Sequence, residues 1–266
     1  MPAIKRYVNF CAHAVAVWEL AVEDDTMTYL GEAARRTASA VLAAVMLAAA
    51  VLLLAVPDVA QSANPQTQWD YPLLGDDGQR VSNHSVKLPG PIDRLPGVIV
   101  TGNPSGKASL AEFYDLNCPY CRQAATDIGG LISHDRELRL LLVPYPVLGV
   151  ASITASRVEL AVGRLGTPAQ FYAFHRKMFA RRGTNDGARA LEVAQSLGLD
   201  KGRLLVLADS DQITETMKAL VRLGTALGLQ ATPSFVVGDV AILGYPGPHA
   251  LAAILTAATR CGKVVC

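Results

Sequence analysis

Leu110-Ala111-Glu112-Phe113-Tyr114-Asp115-Leu116-Asn117-Cys118-Pro119-Tyr120-Cys121 is the stretch on which the reading of this chain turns. Its first half is apolar enough for a buried strand, one carboxylate apart. Its second half opens a helix with proline in the first turn, where a missing N–H costs nothing. Two thiols three residues apart at such a junction can pass a disulfide to another protein. The leading thiol must ionise to attack, and the unpaired N–H groups and positive dipole end of a helix N-terminus favour the anion where Cys118 falls. Cys121, one turn on, can reach a mixed disulfide and resolve it.

Outward from this stretch, strands and helices alternate. Gly97 to Thr101 and Ala108 to Asp115 read as strands, and a helix is expected from about Pro119 to His134. Leu138 to Pro144 is an unbroken apolar run, too short for a helix and closed by Pro144 and Pro146, hence another buried strand. Strand, helix, strand with so long a crossover implies parallel neighbours and a right-handed connection. From about 152 to 229 the pattern is helical, with segments near 152–165, 168–180, 187–198, 201–208 and 211–228 separated by glycine-containing breaks. This is expected to be an inserted helical subdomain. Ser234 to Val237 and Val240 to Leu243, joined by Gly238-Asp239, give a hairpin signal, and Gly247 to Thr259 closes the domain as a helix. The expected class is α/β.

Two further features bear on the thiols. Glu112 interrupts an interior strand, and burying an unpaired carboxylate is strongly unfavourable, so such a group raises its pKa or keeps access to water. It is a candidate to exchange a proton with Cys121, the alternative being an edge position with its side chain in solvent. Asp115, at the strand end, suits a loop or cap role. Thr232-Pro233 lies just ahead of the Ser234 strand. X–Pro is the bond for which cis costs as little as about 0.5–1 kcal/mol, and a cis bond here would present backbone to an extended substrate; a trans proline starting the strand is the alternative. Zinc sites also use Cys-x-x-Cys, but zinc needs more ligands than His134 and the wider Cys261/Cys266 pair offer, so no metal site is expected. His175, with Phe171, Phe174 and Phe179 at helical spacings, reads as packing.

Glu112 through Arg122, the helical insertion and Ala231-Thr232-Pro233-Ser234-Phe235 together resemble the DsbA-like thiol-disulfide oxidoreductases of bacterial envelopes, over about residues 97–260. The resemblance implies a thioredoxin-like fold with a helical insertion, Cys118 as nucleophile, Cys121 as resolving thiol, Glu112 as buried acid and Pro233 as a cis-proline preceded by Thr232. Pro119, Tyr120, Thr232 and Pro233 are then the substrate-binding positions, and no cofactor is expected. Pro146-Val147-Leu148-Gly149 also resembles the family's pattern ahead of its insertion. The family's best-known oxidant carries Pro-His between its cysteines, with a nucleophile pKa near 3.5 and a potential of about −120 mV. Tyr120 cannot be cationic, which predicts a less oxidising pair here.

Thr37 to Pro57 carries no charge and follows Arg35-Arg36. Its 21 residues can span about 30 Å of hydrocarbon at about 1.5 Å each, so the run reads as an anchor. With Ala60-Gln61-Ser62 as a cleavage site it reads equally as a signal peptide. Either puts the remainder outside the cytoplasm, in the periplasm or cell envelope. Residues 1–36 form a leader in which Met27 gives a better-proportioned start than Met1. Residues 58–96 read as a linker or N-terminal arm, and 261–266 as a cysteine-containing tail. With Cys11 set aside in the leader, four cysteines remain in two close pairs, and Cys261 with Cys266 can close a small loop by a disulfide.

A hydrophobic content of 51% against 18% charged is ample for a buried core, and a net charge of +1 with no basic run sets nucleic acid aside. The leading expectation is disulfide formation in exported polypeptides, with a membrane redox partner resetting the pair. An isomerase or reductase with an oligomerising arm is the competing catalytic reading, and a Cu(I)-binding thiol protein the competing class.

Overall fold

The computed structural model describes residues 69–266; the expected leader, apolar run and first part of the linker lie outside them. Among the described residues no helix is long and apolar enough to cross a membrane.

The strands are β1 (Asn83–Ser85), β2 (Ile99–Gly102), β3 (Ala108–Tyr114), β4 (Leu138–Pro144), β5 (Ser234–Val237) and β6 (Val240–Leu243). They form one sheet in the order β1-β6-β5-β3-β4-β2. Only β3 and β4 run parallel, joined by α1 (Pro119–His134), as the strand–helix–strand pattern requires. β5 pairs antiparallel with the other side of β3, so the strand carrying Glu112 is central: Glu112 stands opposite Leu142 on one side and Phe235 on the other. The β5–β6 turn bends at Gly238, whose φ of +60° suits glycine.

Alternation along β3 feeds two cores. Leu110 and Tyr114 join Leu140 and Leu142 on one face, under α1, α3 (Pro168–Ala180), α4 (Gly187–Gln195) and α7 (Pro248–Cys261). Ala111 and Phe113 join Leu141 and Val143 on the other, against Ile213, Met217 and Leu220 of α6 (Asp211–Ala226). Between β4 and β5 the insertion comprises α2 (Val150–Leu165), α3, α4, α5 (Lys201–Ala208) and α6. Its helices start at capping side chains: Thr167 and Gln170 form a reciprocal box on α3, and Asp186, Asp200 and Ser210 accept from the first turns of α4, α5 and α6.

The segment expected as an irregular arm is partly built into the sheet. Asn83, His84 and Ser85 pair with Ile242, Ala241 and Val240, and the buried Asn83 side chain bonds the Tyr71 N–H and carbonyl, which draws residues 69–85 onto the β6 edge. Such pairing covers an edge that would otherwise be open. Cys261 and Cys266 are joined by a disulfide behind α7.

Candidate active site

The loop from β3 into α1 is set by polar side chains rather than by apolar packing. Asp115 is fully buried; its Oδ1 accepts from Asn117 N (2.8 Å) and Ser152 Oγ (2.7 Å), and its Oδ2 from Val147 N and Leu148 N (2.9 Å each). Asn117 donates onward to Ser152 Oγ and to the Asn185 carbonyl, while Asn185 donates to the Leu116 carbonyl at 2.7 Å. The insertion thus holds the approach to Cys118 from two sides.

Cys118 is the N-cap of α1 and Pro119 its first residue. Its Sγ is 3.0 Å from the Thr232 carbonyl, and the Thr232-Pro233 bond is cis. Tyr145 Oη donates to the Leu229 carbonyl at 2.9 Å, fixing the chain that leads to Thr232. Its ring lies so close to Gly224 that a Cβ there would stand 2.9 Å from Cζ. Pro119 and Tyr120 are exposed, whereas Cys121 is wholly buried. A cleft of about 320 Å³ opens beside Tyr120, walled by Gly75, Asp76 and Arg80 of the arm and by Gly244, Tyr245 and Pro246 after β6.

The two thiols are electrostatically unlike. Hydrogen bonding from Cys121 brings Cys118 down to about 6 against the opposing effect of desolvation, with further help from the Thr232 side chain and the N–H groups of Cys121 and Tyr120. The Thr232 carbonyl pulls the other way, since only a protonated thiol can donate to it. Burial pushes the Cys121 thiol far above its ordinary value, reinforced by Cys118 and Glu112. One sulfur is therefore an anion near neutral pH and the other a thiol.

Glu112 is fully buried, and neither of its carboxyl oxygens has a hydrogen-bond partner among the described residues. Desolvation, then the neighbouring Cys118 and Glu159, pushes its carboxyl up from 4.5 to about 8. Between those values the folded protein holds a proton that the unfolded chain has released. From about pH 6 to 8 this is offset by Cys118, which is ionised in the folded chain and protonated in the unfolded one, so stability of the reduced protein is expected to fall as pH rises from about 4.5 to about 6, by up to about 1.4 kcal/mol per pH unit. Urea unfolding across this window checks it: Glu112→Gln should flatten the slope, and an unaltered slope in that variant would show that Glu112 ionises freely.

The structure brings together Cys118, Cys121, Glu112, Thr232 and Pro233, with Pro119 and Tyr120 at the rim. Cys261 and Cys266 form their own bond at the chain's end. Among the described residues no cluster of three or more His, Cys, Asp or Glu side chains is arranged to hold a metal ion. Sequence reasoning missed Glu159, Asn117 and Asn185. Glu159 left one usable signal, a carboxylate inside the apolar run Val158 to Val162; the asparagines left none, since their partners are distant in sequence.

Residues 109–256 match the model of the DSBA-like thioredoxin domain family. Among solved structures, a thioredoxin-like oxidoreductase from Silicibacter pomeroyi is 32% identical with a TM-score of 0.59, the match covering 64% of this chain and 99% of that one. A periplasmic thioredoxin-like protein from Salmonella enterica serovar Typhimurium is 25% identical with a TM-score of 0.56, over 64% of this chain and 94% of that one. A curated relative, the Na(+)/H(+) antiporter NhaA of Herminiimonas arsenicoxydans, is 25% identical over 185 residues; these are 69% of this chain but only 29% of that protein's length.

Proposed function

This chain belongs to the DSBA-like thioredoxin domain family, and from that footing we propose that it catalyses disulfide formation in exported polypeptides through Cys118 and Cys121. It is a thiol-disulfide oxidoreductase with a thioredoxin-like fold. The observation that carries the finer reading is the contrast between the thiols: Cys118, at the mouth of α1, is held at about 6, while the buried Cys121 is pushed up beside a carboxyl held at about 8.

In the oxidised protein a substrate thiolate attacks Cys118 Sγ. The Cys118–Cys121 bond breaks, Cys121 leaves with the electron pair, and the Glu112 proton goes to it. A second substrate thiolate then attacks the substrate sulfur in the mixed disulfide and expels Cys118 as a thiolate. The substrate is oxidised by two electrons and the pair is reduced. A low pKa makes Cys118 a good leaving group and stabilises the reduced form, which favours this direction. Thr232 and Pro233, with Pro119 and Tyr120, border the substrate's path, and the cleft beside Tyr120 gives an extended polypeptide room to lie. A membrane redox partner returns the pair to the disulfide, and the periplasm, or the outer face of the inner membrane, is where this chemistry has substrates.

Thiolate absorbance at 240 nm is expected to titrate with a midpoint near 6 for Cys118. That lies between the values of about 3.5 and about 7 known for a strong oxidant and a reductant of this superfamily, so the potential against glutathione should fall between about −120 and about −270 mV. A potential at or below the negative limit, together with reshuffling of scrambled ribonuclease, would favour the isomerase or reductase reading instead.

A further inference from the structure

A second carboxyl is buried behind the thiols. Glu159, on α2, is fully buried; its Oε1 accepts from Tyr114 Oη at 2.8 Å and lies 4.0 Å from His175 Nδ1 on α3. Tyr114 stands two residues after Glu112 on the same face of β3. His175, also buried, meets the Tyr114 ring edge-on with centroids 4.6 Å apart and stacks on Tyr172 at 6.4 Å. Among the described residues Glu112 has no donor for either oxygen, whereas Glu159 has the Tyr114 hydroxyl on Oε1 and none on Oε2, with His175 Nδ1 close by but not hydrogen-bonded. Burial raises both carboxyls, but His175 and Tyr114 pull that of Glu159 back down and nothing does so for Glu112, so of two carboxyls that do not both carry charge readily Glu159 ionises first.

We propose that Glu159 is a positioning residue for disulfide exchange: held as the anion by Tyr114 and His175, it keeps the proton shared by the two carboxyls on Glu112, next to the Cys118–Cys121 pair. The inference rests on reading Glu112 as the proton donor to Cys121. It adds what places the proton there. The titratable groups facing Glu112 are Tyr114 from its own strand, Cys118 at the start of α1, Cys121 within it, Glu159 from α2, Tyr172 from α3 and Tyr245 beyond β6. Those facing Glu159 are His175, Tyr114, Asp115 and Glu112. Glu159 is thus the carboxylate with both a phenol and an imidazole turned toward it. When Cys121 departs and takes the Glu112 proton, Glu112 becomes a second anion near Glu159, and their repulsion draws a proton back from water.

The test is the pH dependence of the attack of reduced glutathione on the oxidised full-length protein, with rates expressed per glutathione thiolate. In the parent the rate should fall as Glu112 loses its proton, with a midpoint below the value of about 8 that holds for the dithiol form, because the disulfide form lacks the Cys118 charge that helps to raise it. Glu112→Gln should remove that fall. Glu159→Gln should move its midpoint down by about one pH unit. Tyr114→Phe, which keeps the ring and removes only the hydroxyl, should move it the same way, because Glu159 then takes up a proton more readily. A fall lost in Glu112→Gln but unmoved in both Glu159→Gln and Tyr114→Phe overturns this inference alone. A fall that survives Glu112→Gln overturns the reading of Glu112 as well.

Discussion

Replacing Cys118 with serine is expected to reduce disulfide transfer to the background rate of the uncatalysed exchange, and replacing Cys121 with serine to remove the transferable disulfide while leaving a thiol that traps a partner. A serine hydroxyl does not ionise near neutral pH and forms no disulfide, so the Cys118 variant has neither nucleophile nor carrier. In the parent a pKa of about 6 leaves Cys118 about nine-tenths ionised at pH 7, and the Cys121 variant, with a serine hydroxyl to donate in place of the thiol, keeps a Cys118 thiolate. Such a thiolate attacks a substrate disulfide, yet nothing then displaces the substrate. Mass spectrometry of that variant after incubation with a disulfide-bonded polypeptide should show a one-to-one covalent adduct released by reductant. Exposure decides which sulfur reacts: Cys118 retains 4% of its surface and Cys121 none. Alkylation of the reduced parent should therefore mark Cys118 first. Transfer surviving in Cys118→Ser, or an adduct found on Cys121 in the parent, would reverse the assignment of the two roles.

Where chemistry and periodicity coincided, the sequence was readable. The apolar runs of β3, β4, β5 and β6 mark their strands to within a residue, because each is buried on both faces and carries no amphipathic ambiguity. Pro119 announces the first turn of α1, and the thiol spacing announces what sits there. Glu112 was conspicuous because a carboxylate in such a strand conflicts with its surroundings, and conflicts of that kind collect at functional sites. β1 was not legible: Asn83-His84-Ser85 has no hydrophobic pattern, and it is a strand only because β6, more than 150 residues later, offers an open edge. His175 looked like a packing residue among phenylalanines. It does pack, against Tyr114 and Phe179, and its second property, an imidazole nitrogen turned toward Glu159, depends on a helix pairing that no local pattern encodes.

Asp115 was legible only as a strand-end residue suited to a loop or cap. The structure gives that residue a larger part, and its removal should cost more than that of most surface or cap residues. Asp115→Ala is expected to destabilise the protein by about 3–5 kcal/mol, because one buried carboxylate accepts four hydrogen bonds from three separate segments. Without it the N–H groups of Asn117, Val147 and Leu148 and the Ser152 hydroxyl lose their acceptor together, and alanine fills little of the space. For a domain of this size the loss corresponds to a fall of about 10 °C in Tm. The effect should also reach the chemistry, since Asp115 ties the Cys118 loop to the turn that begins α2, which carries Glu159. Asp115→Asn keeps one carbonyl oxygen to accept and should cost roughly half as much, which separates lost hydrogen bonds from lost volume. Urea denaturation of both variants beside the parent gives the result directly. A change below about 1 kcal/mol in Asp115→Ala would mean that water takes over these contacts and that the loop before Cys118 is held by its backbone alone.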